Sequence, residues 1–301
     1  MSEEQGTGSQ CRTEIVVPTL AEAGRARQLR RAINSVISQG ARALVVVNGN
    51  RYDPMLLDEL EHRKDIRLLC IAEPGLPNAI HIGRCAVNCE FFGFLDDDDY
   101  LLPEAINLRE SCLISNSDID VVITNGLREE WGDEPQMYKA SNELERIMED
   151  PLGALLEANW MTPCGALYRT SAVPADVFLN LTKYAEWTDV AFRLIDSYQF
   201  RFLFDNTFVQ SNSPGSLSKQ AGQARYLMSL HERIASKVKT QLQRQRLNQR
   251  ICGLHHQIAK YELAANNRRE AFRHHLRSML HAPRIGIPRY LLFTRKLFLR
   301  K

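Results

Sequence analysis

Four apolar runs separated by turns and helical periodicities open the chain, and the fourth ends in four consecutive aspartates. Residues 14–17 form a short run that meets Pro18, and residues 24–39 carry Leu29, Ile33, Val36 and Ile37 at helical spacing with Gly40 placed as a stop. The continuous apolar run 43–47 has the pattern of a parallel strand buried on both faces. A turn at Asn48-Gly49-Asn50, a helix over 54–62 and a third strand over 66–71 follow. Pro74-Gly75-Leu76-Pro77 opens a helix to about residue 88, and residues 91–95 complete the series. The order β-α-β-α-β-α-β predicts an α/β fold with a doubly wound sheet.

Beyond Pro103 the spacing predicts a helix to about residue 114, a strand over 120–124 followed by a polar loop, and a helix over 144–158. A strand over 164–168, a helix over 189–197 and a strand over 201–204 come next, and Pro214-Gly215-Ser216 marks a boundary. After it Leu227, Leu230, Ile234 and Val238 recur at helical spacing. Charge divides at the same place: residues 221–301 hold 18 Lys and Arg against 3 Asp and Glu, a net +15, whereas the rest of the chain is net −13. Three segments are expected: a disordered tail 1–13, an α/β domain 14–220 and a basic helical extension 221–301.

With 44% hydrophobic and 25% charged residues, disordered, collagen-like and disulfide-scaffold classes are excluded. The seven cysteines are odd in number and lack a CxxC spacing, as reduced thiols would be. His81, Cys85 and Cys89 share one helix stripe but span too much of it to converge on one tetrahedral ion, so they are expected as packing residues. No run approaches the roughly 18 apolar residues of a membrane span, and the first ten residues are polar. A cytoplasmic location is the expectation.

Asp96, Asp97, Asp98 and Asp99 directly follow the apolar Phe91-Phe92-Gly93-Phe94-Leu95. That puts carboxylates at the C-terminal rim of a parallel sheet, where open α/β folds bind ligands. Four adjacent acids repel one another and ask for a cation. An EF-hand is excluded, because its Gly and distal Glu are absent. A hard divalent ion, Mg²⁺ or Mn²⁺, held by one or two carboxylates plus substrate phosphates fits the pattern.

In order, the opening Val16-Val17-Pro18-Thr19-Leu20, the run Val45-Val46-Val47-Asn48-Gly49-Asn50, Gly75-Leu76-Pro77-Asn78-Ala79-Ile80-His81-Ile82-Gly83 and Phe94 to Pro103 resemble family 2 inverting glycosyltransferases of the GT-A fold. The resemblance covers residues 14–218 and implies a nucleotide-sugar donor, most simply a UDP-sugar, bound through a divalent metal. By position the family's Asp-x-Asp motif becomes Asp96 and Asp98, with Asp98 the direct metal ligand, and Asp96 and Asp97 are counted among the donor-binding residues. Pro18, Thr19 and Asn48 take the positions that contact base and ribose, although the family usually has Asp where this chain has Asn48. The family's Ala-Arg-Asn before a helix is Ala79-Ile80-His81 here, so a frequent phosphate-side Arg is missing; Arg84, one turn later, is a substitute or a solvated side chain. The late loop 213–218 lacks the family's metal-binding His.

An inverting displacement needs a base for the acceptor hydroxyl. The segment 185–194 resembles the family's Glu-Asp segment, but a gap-free placement sets Glu186 on the family's Glu and Trp187 where its Asp base would be. Asp189 is the first choice for the base and Glu186 the second, with a simple helix N-cap as the alternative for Asp189. Without the Gln-x-x-Arg-Trp motif of processive synthases, transfer of a single sugar to a glycan or lipid-linked acceptor is expected. Loops near Trp131 and Trp160 would shape the acceptor side. A GT-A-like nucleotidyltransferase and a non-catalytic scaffold using the basic tail are the rival readings. Residues 286–301 mix large apolar and basic side chains in the manner of an interfacial anchor, which suggests an anionic membrane surface at the inner face of the membrane as a partner; no nucleic acid is expected.

Overall fold

The computed structural model describes residues 11–130, 134–212, 222–281 and 293–294. Strands β1 (Thr13–Thr19), β2 (Arg42–Asn48), β3 (Ile66–Ile71) and β4 (Phe91–Phe94) pair in parallel in the order β3-β2-β1-β4. Helices α1 (Ala26–Ile37), α2 (Pro54–His62) and α3 (Leu76–Ala86) make the crossovers. Asp53 starts α2 by accepting from the Leu56 amide at 2.9 Å, with Pro54 at the first helical position, a pairing that satisfies one orphan amide where proline lacks one.

The second half adds β5 (Tyr100–Leu101), α4 (Ala105–Ser115), β6 (Val121–Glu130) and β7 (Gln136–Met137). Helices α5 (Ser141–Glu149) and α6 (Pro151–Glu157), strand β8 (Ala166–Arg169), helix α7 (Glu186–Leu194) and strand β9 (Phe200–Asn212) follow. Among the described residues the strands form one mixed sheet in the order β3-β2-β1-β4-β8-β6-β9-β5, with β7 added to β6. β8 runs antiparallel to both β4 and β6, and β9 runs parallel to β6.

Four elements depart from the sequence-based expectation. β6 runs on to Glu130 instead of ending at Thr124, and β9 has 13 residues instead of four. Their added halves are mostly polar, with Leu127 in β6 and the buried Phe208 and Val209 in β9 as their apolar residues, and are held by the ladder that pairs Leu127 with Val209 and Arg128 with Gln210, so no sustained apolar alternation announces them. The helix expected over 144–158 breaks at Pro151, which cannot continue it and starts α6 behind the Asp150 cap. The helix expected from residue 189 begins at Glu186. On α3 Cys85 is exposed rather than packed, while Cys89 is buried just beyond the helix end.

The chain divides into two compact units, Met1–Leu144 with Met161–Asn180 and Asp196–Pro214, and Glu145–Trp160 with Leu181–Ile195 and Gly215–Lys301. In the first, Val17, Val45 and Val47 pack with Leu29, Ile33 and Val36 of α1, and Phe92 stacks on Tyr168 at 4.9 Å between ring centres. The second contains α8 (Gln223–Arg233), α9 (Gln241–Ala264) and α10 (Arg268–His281), with α9 packed against α6, α8 and α10. Leu227, Leu230, Ile234 and Val238 are buried as their spacing predicts. Trp160 is buried, its indole donating to the Pro151 carbonyl at 2.9 Å. Among the described residues no helix is long and apolar enough to cross a membrane. The loop 213–218, Trp131 and nearly all of 286–301 lie outside the described residues; of the last stretch, Phe293 is buried against the rings of His256 and His275.

Candidate active site

The parallel strands bring their C-terminal ends to one rim. Thr19 is opposite Val47, Asn48 follows, and β4 runs directly into the aspartates. Exposure alternates along the cluster: Asp97 and Asp99 are buried, whereas Asp96 and Asp98 keep partial exposure. The buried pair has structural partners. Asp97 accepts from the Thr19 hydroxyl at 2.6 Å, and Asp99 accepts from the Ser211 amide at 2.8 Å, tying the cluster to the ends of β1 and β9. Pro18 lies buried in β1 opposite Val46. Asn48 is buried, donating to the Thr19 carbonyl at 2.8 Å and accepting from the Gly75 amide at 2.9 Å. It pins the end of β1 to Gly75, the residue before α3, a role that uses both the donor and the acceptor of an amide and that an aspartate could not fill.

Two arginines that sequence reasoning did not single out complete the rim. The Arg25 guanidinium lies 3.0 Å from an oxygen of Asp97 and 2.5 Å from an oxygen of Asp98. Arg31 donates to the Asp98 carbonyl at 3.0 Å and to the Ser211 hydroxyl at 3.1 Å while stacking on the Tyr100 ring. The signal was electrostatic: a run of four acids needs a cation, and Arg25 is the first after Thr19. Arg84 is no phosphate ligand, because it is buried over the Phe92 ring and donates to the carbonyls of Thr170 and Val173.

Burial pushes the Asp97 carboxyl up to about 6, against the pull of Arg25 and Thr19. Asp99 is pushed well above the carboxylate range by burial and by the neighbouring charges of Asp96 and Asp98. Burial opposes the charge of Arg25, yet the carboxylates of Asp97, Asp98, Asp96 and Asp99 outweigh it and raise its pKa. Among the described residues no group of three or more His, Cys, Asp or Glu side chains converges as a metal cage. Asp96 and Asp98 are still hard oxygen donors on the more exposed side of the cluster, which fits Mg²⁺ or Mn²⁺ bound by two carboxylates and completed by phosphate oxygens and water.

Glu186 and Asp189 belong to the second unit. Glu186 is the first residue of α7 and Asp189 the fourth, so Asp189 is no N-cap. One oxygen of Asp189 accepts from the Thr182 amide at 2.8 Å and hydroxyl at 2.6 Å; Arg193 lies at 3.0 Å and Arg233 at 3.2 Å. Burial alone would raise its pKa, but the bonds from Arg193 and Thr182 prevail and lower it. Glu186 accepts from the Tyr184 amide at 3.0 Å, and burial raises its pKa above the usual range.

The family model for glycosyl transferase family 2 matches residues 14–169, from β1 through the aspartate cluster to β8. The chain belongs to this family. No curated protein matches the glycosyltransferase in sequence. Its GT-A fold is similar to that of S. aureus TarS 1–349 in complex with UDP-GlcNAc, with a TM-score of 0.59 at 15% identity over 90% of this chain and 82% of that one. TarS 1–349 alone gives a TM-score of 0.55 at 13% identity over 87% and 80% of the two chains. TarS 1–349 in complex with UDP gives 0.51 at 13% identity over 90% and 88%. At such identities the likeness shows the fold.

Proposed function

We propose that this glycosyltransferase moves one sugar from a UDP-linked donor to a hydroxyl of a glycan or lipid-linked acceptor, with inversion at the anomeric carbon. The observation that carries this reading is the alternation at the rim, where Asp97 and Asp99 are buried and bound to Thr19 and Ser211 while Asp96 and Asp98 keep partial exposure, Asp98 beside the half-exposed Arg25. Pro18, Thr19 and Asn48 line the base and ribose side in this assignment, and Asp97 acts on the donor by fixing Thr19. Binding of UDP-GlcNAc and of UDP by TarS, which shares the fold, supports a uridine donor. Asp96 and Asp98 would hold Mg²⁺ or Mn²⁺, which when bound stabilises the charge that grows on a departing diphosphate.

The base is assigned to Glu186 and not to the first choice, Asp189. A base must be free to take a proton, and Asp189 is held ionised by Thr182, Arg193 and Arg233. Burial gives Glu186 the stronger proton affinity. Asp189 is then the anchor that fixes α7 to Thr182 and Arg233.

An anionic membrane surface as partner is supported by α10, which exposes Leu276 and Leu280 beside the exposed arginines 269, 273 and 277 at four-residue intervals. A thermal-shift panel of nucleoside mono- and diphosphates with and without Mn²⁺ tests the donor assignment. Stabilisation by UDP that grows with Mn²⁺ is expected. No response to any nucleotide would remove it.

A further inference from the structure

We infer that Arg25 is a tethered counter-ion that exchanges partners when the donor binds, releasing the Asp98 carboxylate and turning to the donor's diphosphate. The inference rests on the proposed donor site. One guanidinium nitrogen bridges Asp97, at 3.0 Å, and Asp98, at 2.5 Å. The two carboxylates differ in kind. Asp97 has 6% of its side chain exposed and is bound to Thr19, whereas Asp98 has 15% exposed and belongs to the pair assigned to a divalent ion. A guanidinium at 2.5 Å from an Asp98 oxygen occupies the approach that a hard cation needs.

Losing Asp98 would not free Arg25 from the site. Its link to Asp97 remains, and its backbone is fixed by the amide bond to the Glu22 carbonyl at 2.9 Å, at the entry to α1. With 39% of its side chain exposed, it can turn its other donors outward, and a guanidinium presents five of them in a planar fork suited to phosphate oxygens. The chain has a need for such a group. Ile80 and His81 stand where an arginine was expected from the resemblance, and Arg84 is engaged with the carbonyls of Thr170 and Val173. Arg25 therefore holds Asp97 and Asp98 together in this structure and, with the donor bound, supplies positive charge to its diphosphate.

Titration calorimetry on the full chain tests both halves, with Mn²⁺ alone, UDP alone and UMP alone as probes on wild type, Arg25→Ala and Arg25→Lys. Arg25→Ala is expected to bind Mn²⁺ about tenfold more tightly than wild type, because the competing cation is gone, and UDP without metal about tenfold more weakly. UMP binding should change far less. Arg25→Lys should compete for Asp98 as wild type does but recover only part of the UDP affinity, a point charge replacing a fork. Unchanged or weaker Mn²⁺ binding by Arg25→Ala overturns the exchange, as does an equal loss of UDP and UMP affinity, which would mark Arg25 as merely structural. If wild type binds no UDP even with Mn²⁺, the donor-site reading fails as well; if it does and Arg25→Ala behaves like wild type, only the role of Arg25 fails.

Discussion

Glu186 and Asp189 lie three residues apart on α7, yet their surroundings drive them in opposite directions. Desolvation prevails at Glu186, whereas at Asp189 the desolvation is outweighed by the combined bonds and charge of Arg193 and Thr182. Glu186→Gln is expected to lower kcat by about 10²- to 10⁴-fold with donor affinity nearly unchanged. The wild-type rate should fall on the acid side at a midpoint above the usual carboxylate range, because the base works only when ionised, and the variant should lose that limb. Asp189→Asn should instead lower stability by about 1–3 kcal/mol at neutral pH, read by denaturant titration, with a milder effect on turnover. The sign follows from its depressed pKa: the contribution is complete above the unfolded value of about 4 and is lost as pH falls through the folded one. Most of the candidate site was legible because four acids after an apolar strand are a local signal. The partners of Asp189 and the grip of Arg25 were not, since both depend on side chains brought together by folding.

At the scale of elements, close contact between α3 and the sheet rests on Gly83. A Cβ there would lie 2.4 Å from Cγ1 of Val16 and 3.3 Å from Cγ2 of Val46, both stiff, buried valines. Gly83→Ala should cost about 1–3 kcal/mol in unfolding free energy, measured in denaturant, by pushing α3 off β1. The helices of the second unit carry a different liability. His231, His255 and His256 are each pushed down to about 4 by burial, and like charges from Arg250, His274, His281, Arg277, Lys260 and His275 add to it. The Nδ1 atoms of His255 and His274 meet at 2.9 Å, a bond in which one ring must accept and therefore be neutral, so that protonating both rings breaks it. As pH falls, the unfolded chain takes protons near 6.5 and the folded chain resists until about 4, so helical stability should decline across that window. Circular-dichroism melts from pH 7 to 4 should show the decline, and His255→Gln should flatten it. The same scale shows what patterns reveal: β1 to β4 and their helices were legible from apolar runs, whereas the mostly polar extensions of β6 and β9, with Phe208 and Val209 too short an apolar pair to mark a strand, are held by backbone pairing that hydropathy does not report.

For the whole molecule, charge separates along the chain as chemistry does, with the acidic cluster before residue 220 and a net +15 after it. A surface that holds Leu276 and Leu280 beside arginines 273 and 277 should bind vesicles containing phosphatidylglycerol and leave phosphatidylcholine vesicles alone. Replacing both leucines by serine should reduce co-sedimentation severalfold while the nucleotide response is kept; retention of full binding would move the contact elsewhere. The central claim concerns the bond that breaks. Incubation of wild type and Asp98→Asn with UDP-sugars, Mn²⁺ and a hydroxyl acceptor, followed by chromatography of the nucleotide products, tests it most directly. The account predicts UDP from wild type and at least a hundredfold less, on the order of a lost electrostatic contact, from Asp98→Asn. Release of UMP or pyrophosphate in place of UDP, or an Asp98→Asn variant as active as wild type, would contradict it.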